Sequence, residues 1–142
     1  MENRQTLRLN AANLKDLEFI RNFIEEEIKS YQVDASAVYD ILLSVTEMAT
    51  NTIVHGYRGK SGPLEIEIGR QGDSIVITLR DQAPPFDPTR VPAPDISLPL
   101  EERPLGGMGV HLSREFMDHM SYRYIPEKGN ELILKKKGVA LH

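Results

Sequence analysis

The sequence predicts an α+β fold, a two-layer sandwich in which a mixed, mostly antiparallel sheet carries its helices on one face. Three observations predict it. Short segments with apolar residues at every second position occur beside helical patterns, the strand patterns are joined by short turns, and one proline-rich loop separates the two halves of the chain. Strands joined by tight turns favour antiparallel pairing, and helices grouped beside such a sheet define the class.

The first third of the chain reads as strand, helix, helix. Residues 6–9 alternate apolar and polar side chains, which is typical of a strand. Asn13 then stands where an N-cap belongs, before apolar residues at spacings of three and four that predict a helix over 14–31. Asp34 is expected to cap a second helix. That helix is expected to end at Gly56, because glycine readily adopts the positive φ of a helix C-terminus.

A hairpin and a long loop follow. Apolar residues alternate over 64–68 and 75–79, and residues 71–73 supply the turn between the two strands. Residues 81–109 hold seven of the nine prolines. Proline has no N–H for a strand ladder and interrupts helices, so this segment is predicted to be a loop. Loops of this length typically act as lids or binding loops, and we expect a lid over about residues 84–105.

The remaining residues predict a helix that begins near Val110 and two strands, 121–125 and 131–137, joined by a turn. The length of 142 residues predicts one domain over residues 1–142. No secretory signal and no apolar segment of about 20 residues is present, which predicts a cytoplasmic protein that does not enter a membrane.

Composition and charge exclude several classes of function. The chain has no cysteine, which excludes disulfides, thiolate zinc sites and cysteine nucleophiles. It carries 17 Lys and Arg residues against 21 Asp and Glu residues, a formal net charge of −4. An acidic chain lacks the basic footprint of a nucleic-acid-binding protein, so no direct nucleic-acid partner is expected.

Glu47, Asn51 and His55 form the first group of residues that could carry chemistry. They lie four apart and therefore share one face of the second helix. One interpretation is a solvated polar face whose histidine is favoured by the helix dipole. The other is a site in which an asparagine oxygen and a nearby carboxylate hold Mg²⁺ together with phosphates, because Mg²⁺ prefers oxygen ligands and is often bound by one or two protein groups.

The second and third groups frame the predicted lid. Gly106-Gly107-Met108-Gly109 stands directly before a helix, where close backbone approach and free N–H groups would form an anion site. The alternative is a flexible junction, and neither a Walker A motif nor a dinucleotide fingerprint is present. Asp81 ends a strand and could accept a hydrogen bond from an exocyclic amine such as adenine N6, or it could simply begin a turn.

Taken in order, these groups resemble the GHKL (Bergerat-fold) ATPase superfamily, and within it the anti-sigma-factor serine kinases of the RsbW and SpoIIAB type. Residues 43–57 resemble the N box of that family, residues 80–88 its G1 box and residues 106–112 its G2 box. The likeness extends over essentially the whole chain. It implies the Bergerat ATP-binding fold, with ATP and Mg²⁺ as cofactors.

The resemblance implies a role for individual residues. Glu47 matches the general base that takes a proton from an acceptor Ser or Thr hydroxyl. Asn51 matches the Mg²⁺ ligand that ties the metal to the triphosphate. Asp81 matches the adenine-binding carboxylate, and Arg103 is placed to meet the γ-phosphate. The other residues that the resemblance places at the nucleotide are Ala83, Gly106, Gly107, Met108, Gly109, Val110 and Asn130.

Two departures from the family pattern modify these expectations. Ala83 and Pro85 replace the glycines of the usual Asp-x-Gly-x-Gly in the G1 box. Adenine binding is still expected, but the entrance to the lid is altered. Gly129-Asn130 stands where many members have Gly-Thr, whose hydroxyl helps to bind adenine. That contact would have to be made by the amide of Asn130.

The resemblance also implies a function and partners. The expected protein is an anti-sigma factor and serine/threonine kinase that phosphorylates a STAS-domain anti-anti-sigma antagonist and controls a sigma factor by partner switching. The alternative is an ATP-binding module that sequesters its partner without kinase activity. A detached histidine-kinase domain is disfavoured, because the sequence shows no dimerisation helix with a phospho-acceptor histidine before the N box.

Arg21 is the residue on which a partner surface could depend. In family members an arginine of the first helix faces partner proteins, and arginine is enriched at interfaces. The simpler interpretation is an ordinary surface arginine. The family is commonly dimeric, so a homodimer is a further expectation from the resemblance.

Overall fold

The computed structural model describes residues 2–11, 13–93, 95, 97–99, 101 and 107–137. Five strands and three α-helices form its framework. The strands are β1 (Glu2–Ala11), β2 (Gly62–Gln71), β3 (Ser74–Asp81), β4 (His119–Ile125) and β5 (Gly129–Lys136), and the helices are α1 (Asp16–Lys29), α2 (Ala35–Thr50) and α3 (Gly107–Phe116). A π-helical turn (Asn51–Gly56) extends α2, and a 3-10 turn (Pro88–Arg90) lies in the proline-rich loop. Among the helices of the described ranges, none combines the length and the apolar character needed to cross a bilayer.

The sheet runs in the order β1-β2-β3-β5-β4, and every neighbouring pair of strands is antiparallel. The α+β prediction is therefore confirmed, and the described strands form a wholly antiparallel sheet rather than a mixed one. The hairpin predicted over residues 64–79 is present, and Gly72 forms its turn with φ +61°. In the second hairpin the strands begin two residues earlier than predicted, at His119 and Gly129.

The core lies between one face of the sheet and the helices. The register places Ile66 opposite Leu79 and Ile77 opposite Leu134, so the predicted alternation sends these side chains to the same face. Isoleucines of α1 and α2 cover that face, and the fully buried members include Ile20, Ile24, Ile28 and Ile41. Burial of this apolar surface is the main stabilising contribution to such a sandwich.

The opposite face of the sheet carries a ladder of charges. Arg80 lies at its centre and pairs with Glu65 (2.8 Å) and Glu131 (3.0 Å), while Arg123 also pairs with Glu131 (2.7 Å). Two side chains of β3 on this face, Val76 and Thr78, are nevertheless buried. Long charged side chains cover apolar neighbours with their methylene stems, which explains why the central strand is buried on both faces.

Glu131 makes the acid stability of the fold predictable. Burial raises the pKa of its carboxyl, but hydrogen bonds from Arg123 and Arg80 outweigh burial and hold that pKa below its usual value of 4.5. A depressed carboxyl pKa stabilises the folded state above the unfolded-state pKa, and this stabilisation is lost as the pH falls through the folded-state pKa.

Glu131→Gln should therefore lower the free energy of unfolding at pH 7 by about 1–3 kcal/mol, and by less below about pH 4. Urea unfolding at both pH values measures the difference, and Glu127→Gln in the exposed β4–β5 turn is the control. An equal loss at both pH values would contradict the prediction.

Two helix starts test the capping predictions. The prediction for Asp34 is confirmed, because its carboxylate accepts a hydrogen bond from the Ala37 N–H (2.9 Å) at the start of α2. The prediction for Asn13 is wrong. Its side chain accepts from the Lys15 N–H (2.9 Å), and its backbone oxygen accepts from the Asp16 N–H (3.1 Å). A separate turn therefore precedes α1, which begins at Asp16.

The end of α2 also differs from the prediction. The helix continues through a π-helical turn in which the Tyr57 N–H donates to the Thr52 oxygen (2.8 Å), and Gly56 does not have a positive φ. The left-handed residues come later, at Arg58 (φ 52°) and Gly59 (φ 86°). Glycine is required at 56 for another reason, since a Cβ there would lie 2.7 Å from the Cβ of Ala83.

The predicted lid over 84–105 lies partly outside the described residues. Within it, Asp87 caps the 3-10 turn by accepting hydrogen bonds from the N–H (2.9 Å) and hydroxyl (2.6 Å) of Thr89. α3 begins at Gly107 rather than near Val110. The glycines that were expected to precede the helix thus form its first turn from residue 107 onward. Arg103 and Gly106 lie outside the described residues.

Candidate functional site

A cavity of about 500 Å³ opens between α2 with its π-helical turn, the ends of β3 and β5, and the beginning of the proline-rich loop. This volume is within the range of small-molecule sites. Its polar lining residues are Asn51, Thr52, His55, Arg58, Asp81, Tyr122 and Asn130. Its apolar lining residues are Met48, Leu79, Ala83, Pro84, Pro85, Phe86, Pro88, Val91, Val110 and Leu132, together with Gly56.

Asp81 is the acceptor at one end of the cavity. Its Oδ1 accepts hydrogen bonds from the Ala83 N–H (3.0 Å) and the Asn130 amide (2.8 Å), and its Oδ2 accepts one from the Thr52 hydroxyl (2.9 Å). A carboxylate offers about four acceptor positions, and three of these are occupied. The remaining position is on Oδ2, so Asp81 can take one more donor from a ligand in the cavity.

Asn130 is fully bonded within the protein. Its amide nitrogen donates to Asp81 Oδ1 and to the Ala83 oxygen (2.9 Å), and its amide oxygen accepts from the Tyr122 hydroxyl and the Phe86 N–H (3.4 Å). Its side chain and backbone together are 8% exposed. Burial raises the pKa of the Tyr122 hydroxyl, which keeps it protonated as the donor to Asn130. The contact predicted between Asn130 and a nucleotide stays a prediction.

Tyr57 ties the segment after α2 to the residue that follows Asp81. Its hydroxyl donates to the Pro63 oxygen and accepts from the Gln82 N–H (2.9 Å). Its ring packs on Gly62, where a Cβ would lie 2.8 Å from the Tyr57 Cδ1. Burial raises the pKa of this hydroxyl above 10.0. The wall of the cavity is thereby fixed at the point where the proline-rich loop begins.

The π-helical turn determines which side chains reach the cavity. Asn51, Thr52 and His55 all line it. Within the described ranges no hydrogen bond engages the side chain of Asn51, so its amide oxygen is open to a ligand in the cavity. Thr52 directs its hydroxyl to Asp81, a contact that the spacing of polar residues along the helix does not reveal.

Glu47 lies next to the cavity without lining it. Its carboxylate packs against the first turn of α3, where a Cβ added at Gly109 would lie 2.8 Å from the Glu47 Cδ and closer still to Oε2. Glu47 and Asn51 are one turn apart on the same side of α2. The close approach of α2 and α3 therefore requires glycine at 109 and places the carboxylate beside a helix N-terminus.

The first turn of α3 borders the cavity next to Glu47. Gly107 and Gly109 stand within it, Met108 is 40% exposed, and Val110 is buried and lines the cavity. Backbone N–H groups of a first helical turn have no partner within their helix and carry partial positive charge. This turn can therefore bind an anion next to Glu47.

Arg114 joins α3 to the proline-rich loop. Its Nη1 donates to the backbone oxygens of Pro88 (3.3 Å), Thr89 (3.3 Å) and Val91. These carbonyls end the 3-10 turn, where a cation is favourable. The first part of the loop is thus fixed to the helix that begins with the glycines.

The structure gathers most of the predicted residues into one region. Asn51, Asp81, Ala83, Val110 and Asn130 line the cavity, while Glu47, Gly107, Met108 and Gly109 lie beside it. Arg21 lies apart on α1 and forms an exposed ion pair with Glu25 (3.8 Å). The residues that were not predicted are Thr52, Tyr57, Arg114 and Tyr122.

This arrangement favours a particular kind of ligand. A largely apolar cavity with an open acceptor position on Asp81 suits a flat heterocycle that carries an amine. Phosphates and a hard cation are suited to the neighbouring region. This region holds the open amide oxygen of Asn51, the carboxylate of Glu47 and the N-terminus of α3. The predicted N, G1 and G2 boxes therefore converge on one place.

Comparison with known proteins agrees with this geometry. Residues 10–136 match the family described as Histidine kinase-like ATPase domain, which confirms the resemblance to the GHKL ATPases. The chain is similar to the anti-sigma F factor of Thermoanaerobacter sp. (strain X514), with 29% identity over 134 residues that cover 87% of this chain and 93% of the relative. It is also similar to the anti-sigma F factor of Clostridium kluyveri, with 29% identity over 97 residues, 68% of each chain.

A third relative carries a kinase name. The serine-protein kinase RsbW of Bacillus cereus (strain AH187) is 27% identical over 103 residues, which cover 70% of this chain and 63% of the relative. The matched part is thus less than two thirds of that kinase.

Solved structures share the fold. The RsbU and RsbW domains of a Mycobacterium tuberculosis protein superpose with a TM-score of 0.64 at 15% identity, over 94% of this chain and 32% of that one. The catalytic domain of the histidine kinase ThkA, in a nucleotide-free form, superposes with a TM-score of 0.54 at 14% identity, over 96% and 99%. At these identities the likeness shows the fold alone.

Proposed function

This chain belongs to the histidine kinase-like ATPase domain family, and we propose that it is an anti-sigma factor that uses Mg-ATP to phosphorylate a STAS-domain antagonist on Ser or Thr. One observation carries the proposal. The open acceptor position of Asp81 and the open amide oxygen of Asn51 lie in the same cavity, with Glu47 one helical turn from Asn51. The names of the relatives, two anti-sigma F factors and a serine-protein kinase, support the reaction class.

The base of ATP fits the apolar end of the cavity. Adenine N6 is a donor, and the open position on Asp81 Oδ2 is an acceptor. Guanine presents an oxygen at the same place and would face the carboxylate without a hydrogen bond, which costs affinity because a buried polar group is left unpaired. Phe86 and Val91 supply apolar surface for the ring, and Ala83 holds the carboxylate through its N–H.

The phosphates of ATP are assigned to the first turn of α3, beside the cavity. The N–H groups of Gly107, Met108 and Gly109 would bind phosphate oxygens at the start of α3. Asn51 would hold Mg²⁺ through its amide oxygen, and the metal would neutralise charge on the triphosphate. Arg103 and Gly106 are expected to add to this site from the loop before α3.

Glu47 supplies the proton acceptor. The acceptor hydroxyl of the antagonist attacks the γ-phosphorus, the bond to the β–γ bridging oxygen breaks, and ADP leaves. The hydroxyl proton passes to the Glu47 carboxylate, whose place beside the first turn of α3 puts it next to the proposed phosphate site. Positioning and charge neutralisation, rather than covalent catalysis, carry such a transfer.

The partners are proteins in this proposal. A sigma factor and the STAS-domain antagonist would bind alternately, with Arg21 among the contact residues. Its ion pair with Glu25 is exposed and contributes little, so exchanging it for a partner carboxylate costs little. The net charge of −4 argues against direct DNA binding, so control of transcription would pass through the sigma factor. A single domain, a homodimer and a cytoplasmic location complete the proposal.

An ATP-binding module that sequesters its partner without phosphorylating it is the second candidate. The observation that favours it is the position of Glu47, which packs against α3 and does not line the cavity.

Phosphotransfer to STAS-domain proteins separates the two candidates, and any that are encoded next to this gene are tested first. The protein is incubated with Mg-ATP labelled at the γ-phosphate and each STAS protein, and labelled phosphoserine or phosphothreonine is measured. Transfer of label to one STAS protein supports the kinase, provided that the label is lost when the acceptor residue of that STAS protein is changed to alanine. Binding of ATP without transfer to any of them supports the sequestering module. Failure to bind ATP would contradict both.

A further inference from the structure

Asn130 holds two functional parts of the molecule at once, the carboxylate of Asp81 and the beginning of the proline-rich loop. We propose that Asn130 is a positioning residue that makes the cavity selective for 6-aminopurines by aligning Asp81, without contacting the base. The inference rests on the proposed function, because it assumes that the cavity binds an adenine nucleotide. It assigns to Asn130 a role different from the direct contact that the family resemblance implies.

The sheet register places the two side chains together. Asp81 on β3 pairs directly with Asn130 on β5, and directly paired residues of antiparallel strands project to the same face with their Cβ atoms about 5 Å apart. Tyr122 on β4 is the diagonal neighbour of Asn130 and reaches its amide oxygen. The network therefore crosses three strands, which are rigid elements on which to orient an acceptor.

Hydrogen-bond counting shows why Asn130 acts through Asp81. An asparagine side chain has two donor hydrogens and one acceptor oxygen with two lone pairs. Both hydrogens are used, on Asp81 Oδ1 (2.8 Å) and the Ala83 oxygen (2.9 Å), and the amide oxygen has two donors of its own. No bonding capacity is left for a base. The open acceptor position in this network is on Asp81 Oδ2.

The same bonds fix the orientation of that open position. The Asn130 donor and the Ala83 N–H hold Oδ1 from two directions, so rotation of the carboxylate about its terminal torsion would break both. The Asn130 side chain also donates to the backbone oxygen of Ala83 and accepts from the backbone N–H of Phe86. Removal of the amide would leave the carboxylate held only by the Ala83 N–H and the Thr52 hydroxyl, which weakens its orientation, and would leave buried backbone groups unpaired. Asn130 thus contributes both to the lining of the cavity and to the orientation of its acceptor.

The test measures the coupling between Asn130 and the exocyclic amine. Binding of ADP and of purine riboside 5′-diphosphate, which lacks only the 6-amino group, is measured by calorimetry for the wild type and for Asn130→Leu. Leucine has nearly the same shape and no hydrogen-bonding atoms. The wild type should prefer ADP by about 10-fold or more, the value of one hydrogen bond to a charged group. In Asn130→Leu the preference should fall to less than about 3-fold, chiefly through weaker ADP binding.

Two further variants complete the design. Asn22→Leu makes the same exchange at an exposed position of α1 and should leave the preference unchanged. Tyr122→Phe removes only the hydroxyl that donates to Asn130 and should lower the preference part of the way. Because this variant keeps the ring, it also serves if Asn130→Leu does not fold.

Each outcome decides the inference. Equal weakening of both nucleotides in Asn130→Leu, or an unchanged preference, would show a merely structural residue and overturn it. If only Tyr122→Phe can be measured, an unchanged preference there overturns it as well. A wild type that binds neither nucleotide would refute the proposed function itself. A wild type that prefers ADP, together with an Asn130→Leu variant that keeps this preference, refutes the inference alone.

Discussion

Replacing Gly129 with alanine is expected to lower the free energy of unfolding by about 2–5 kcal/mol, because backbone strain and a steric clash coincide at this residue. Gly129 has a φ of +110°, which residues with a side chain rarely adopt. A Cβ there would lie closer than 3.0 Å to the backbone oxygen of Asp81 and 3.2 Å from the Cα of Gln82. These are backbone atoms of a paired strand end, so they cannot move aside as a flexible side chain would.

Gly72→Ala is the matched control for this variant. Gly72 also has a positive φ (61°), but a Cβ there would meet no atom within 4 Å. It therefore carries only the backbone cost of a left-handed residue, about 1–2 kcal/mol. Urea unfolding of both variants measures how much the clash and the more strained φ of +110° together add to the ordinary cost of a left-handed residue. If Gly129→Ala were no less stable than Gly72→Ala, the close approach of β5 to Asp81 would be refuted.

Glu47→Gln is expected to reduce phosphotransfer by a factor of about 10²–10⁴ while ATP binding is retained. Glutamine keeps the size of the side chain and its packing against Gly109, so the approach of α2 to α3 is preserved. It cannot accept the proton of the attacking hydroxyl. Single-turnover transfer to the antagonist and calorimetric binding of ATP measure the two properties separately.

Glu26→Gln, an exposed residue of α1, is the control for the Glu47 exchange and should transfer phosphate at the wild-type rate. Unchanged transfer in Glu47→Gln would exclude Glu47 as the base. Loss of ATP binding together with transfer would show that its carboxylate acts by holding α3 in place. Retained partner regulation in Glu47→Ala would support the sequestering module.

Local patterns predicted the elements of the fold well, because apolar periodicity reports directly on which side of an element is buried. They failed where the role of a residue depends on a partner that is distant in the sequence, or on a backbone hydrogen bond outside the usual α-helical pattern. The π-helical turn after Thr50 arises from an i→i+5 bond that leaves no periodic signal, and it brings Thr52 towards Asp81. The sequence pattern predicts a left-handed helix end at Gly56, whereas contact with Ala83 explains the glycine.

The candidate site was predictable as a set of residues but not as a network. Ordered boxes identified Asn51 and Asp81, which the fold brings into one cavity. The bond between Asp81 and Asn130 spans 49 residues and depends on the register of β3 with β5. Nothing in the spacing of the sequence fixes that register. Arg114 was missed for the same reason, since its partners lie more than twenty residues earlier in the chain.

The hydrogen bonds from Arg114 to the proline-rich loop lower the entropy cost of closing that loop. Residues 82–106 connect β3 to α3, and Asn130 already holds this segment as far as Phe86. The bonds to Pro88, Thr89 and Val91 extend the held part to residue 91, so that 15 residues (92–106) rather than 20 (87–106) connect it to α3. The entropy lost on closing a loop grows with the logarithm of its length, so the shorter connection costs about 0.3 kcal/mol less to close. Loss of the arginine would therefore lengthen the connection that folding must close, as well as remove the hydrogen bonds to the three carbonyls.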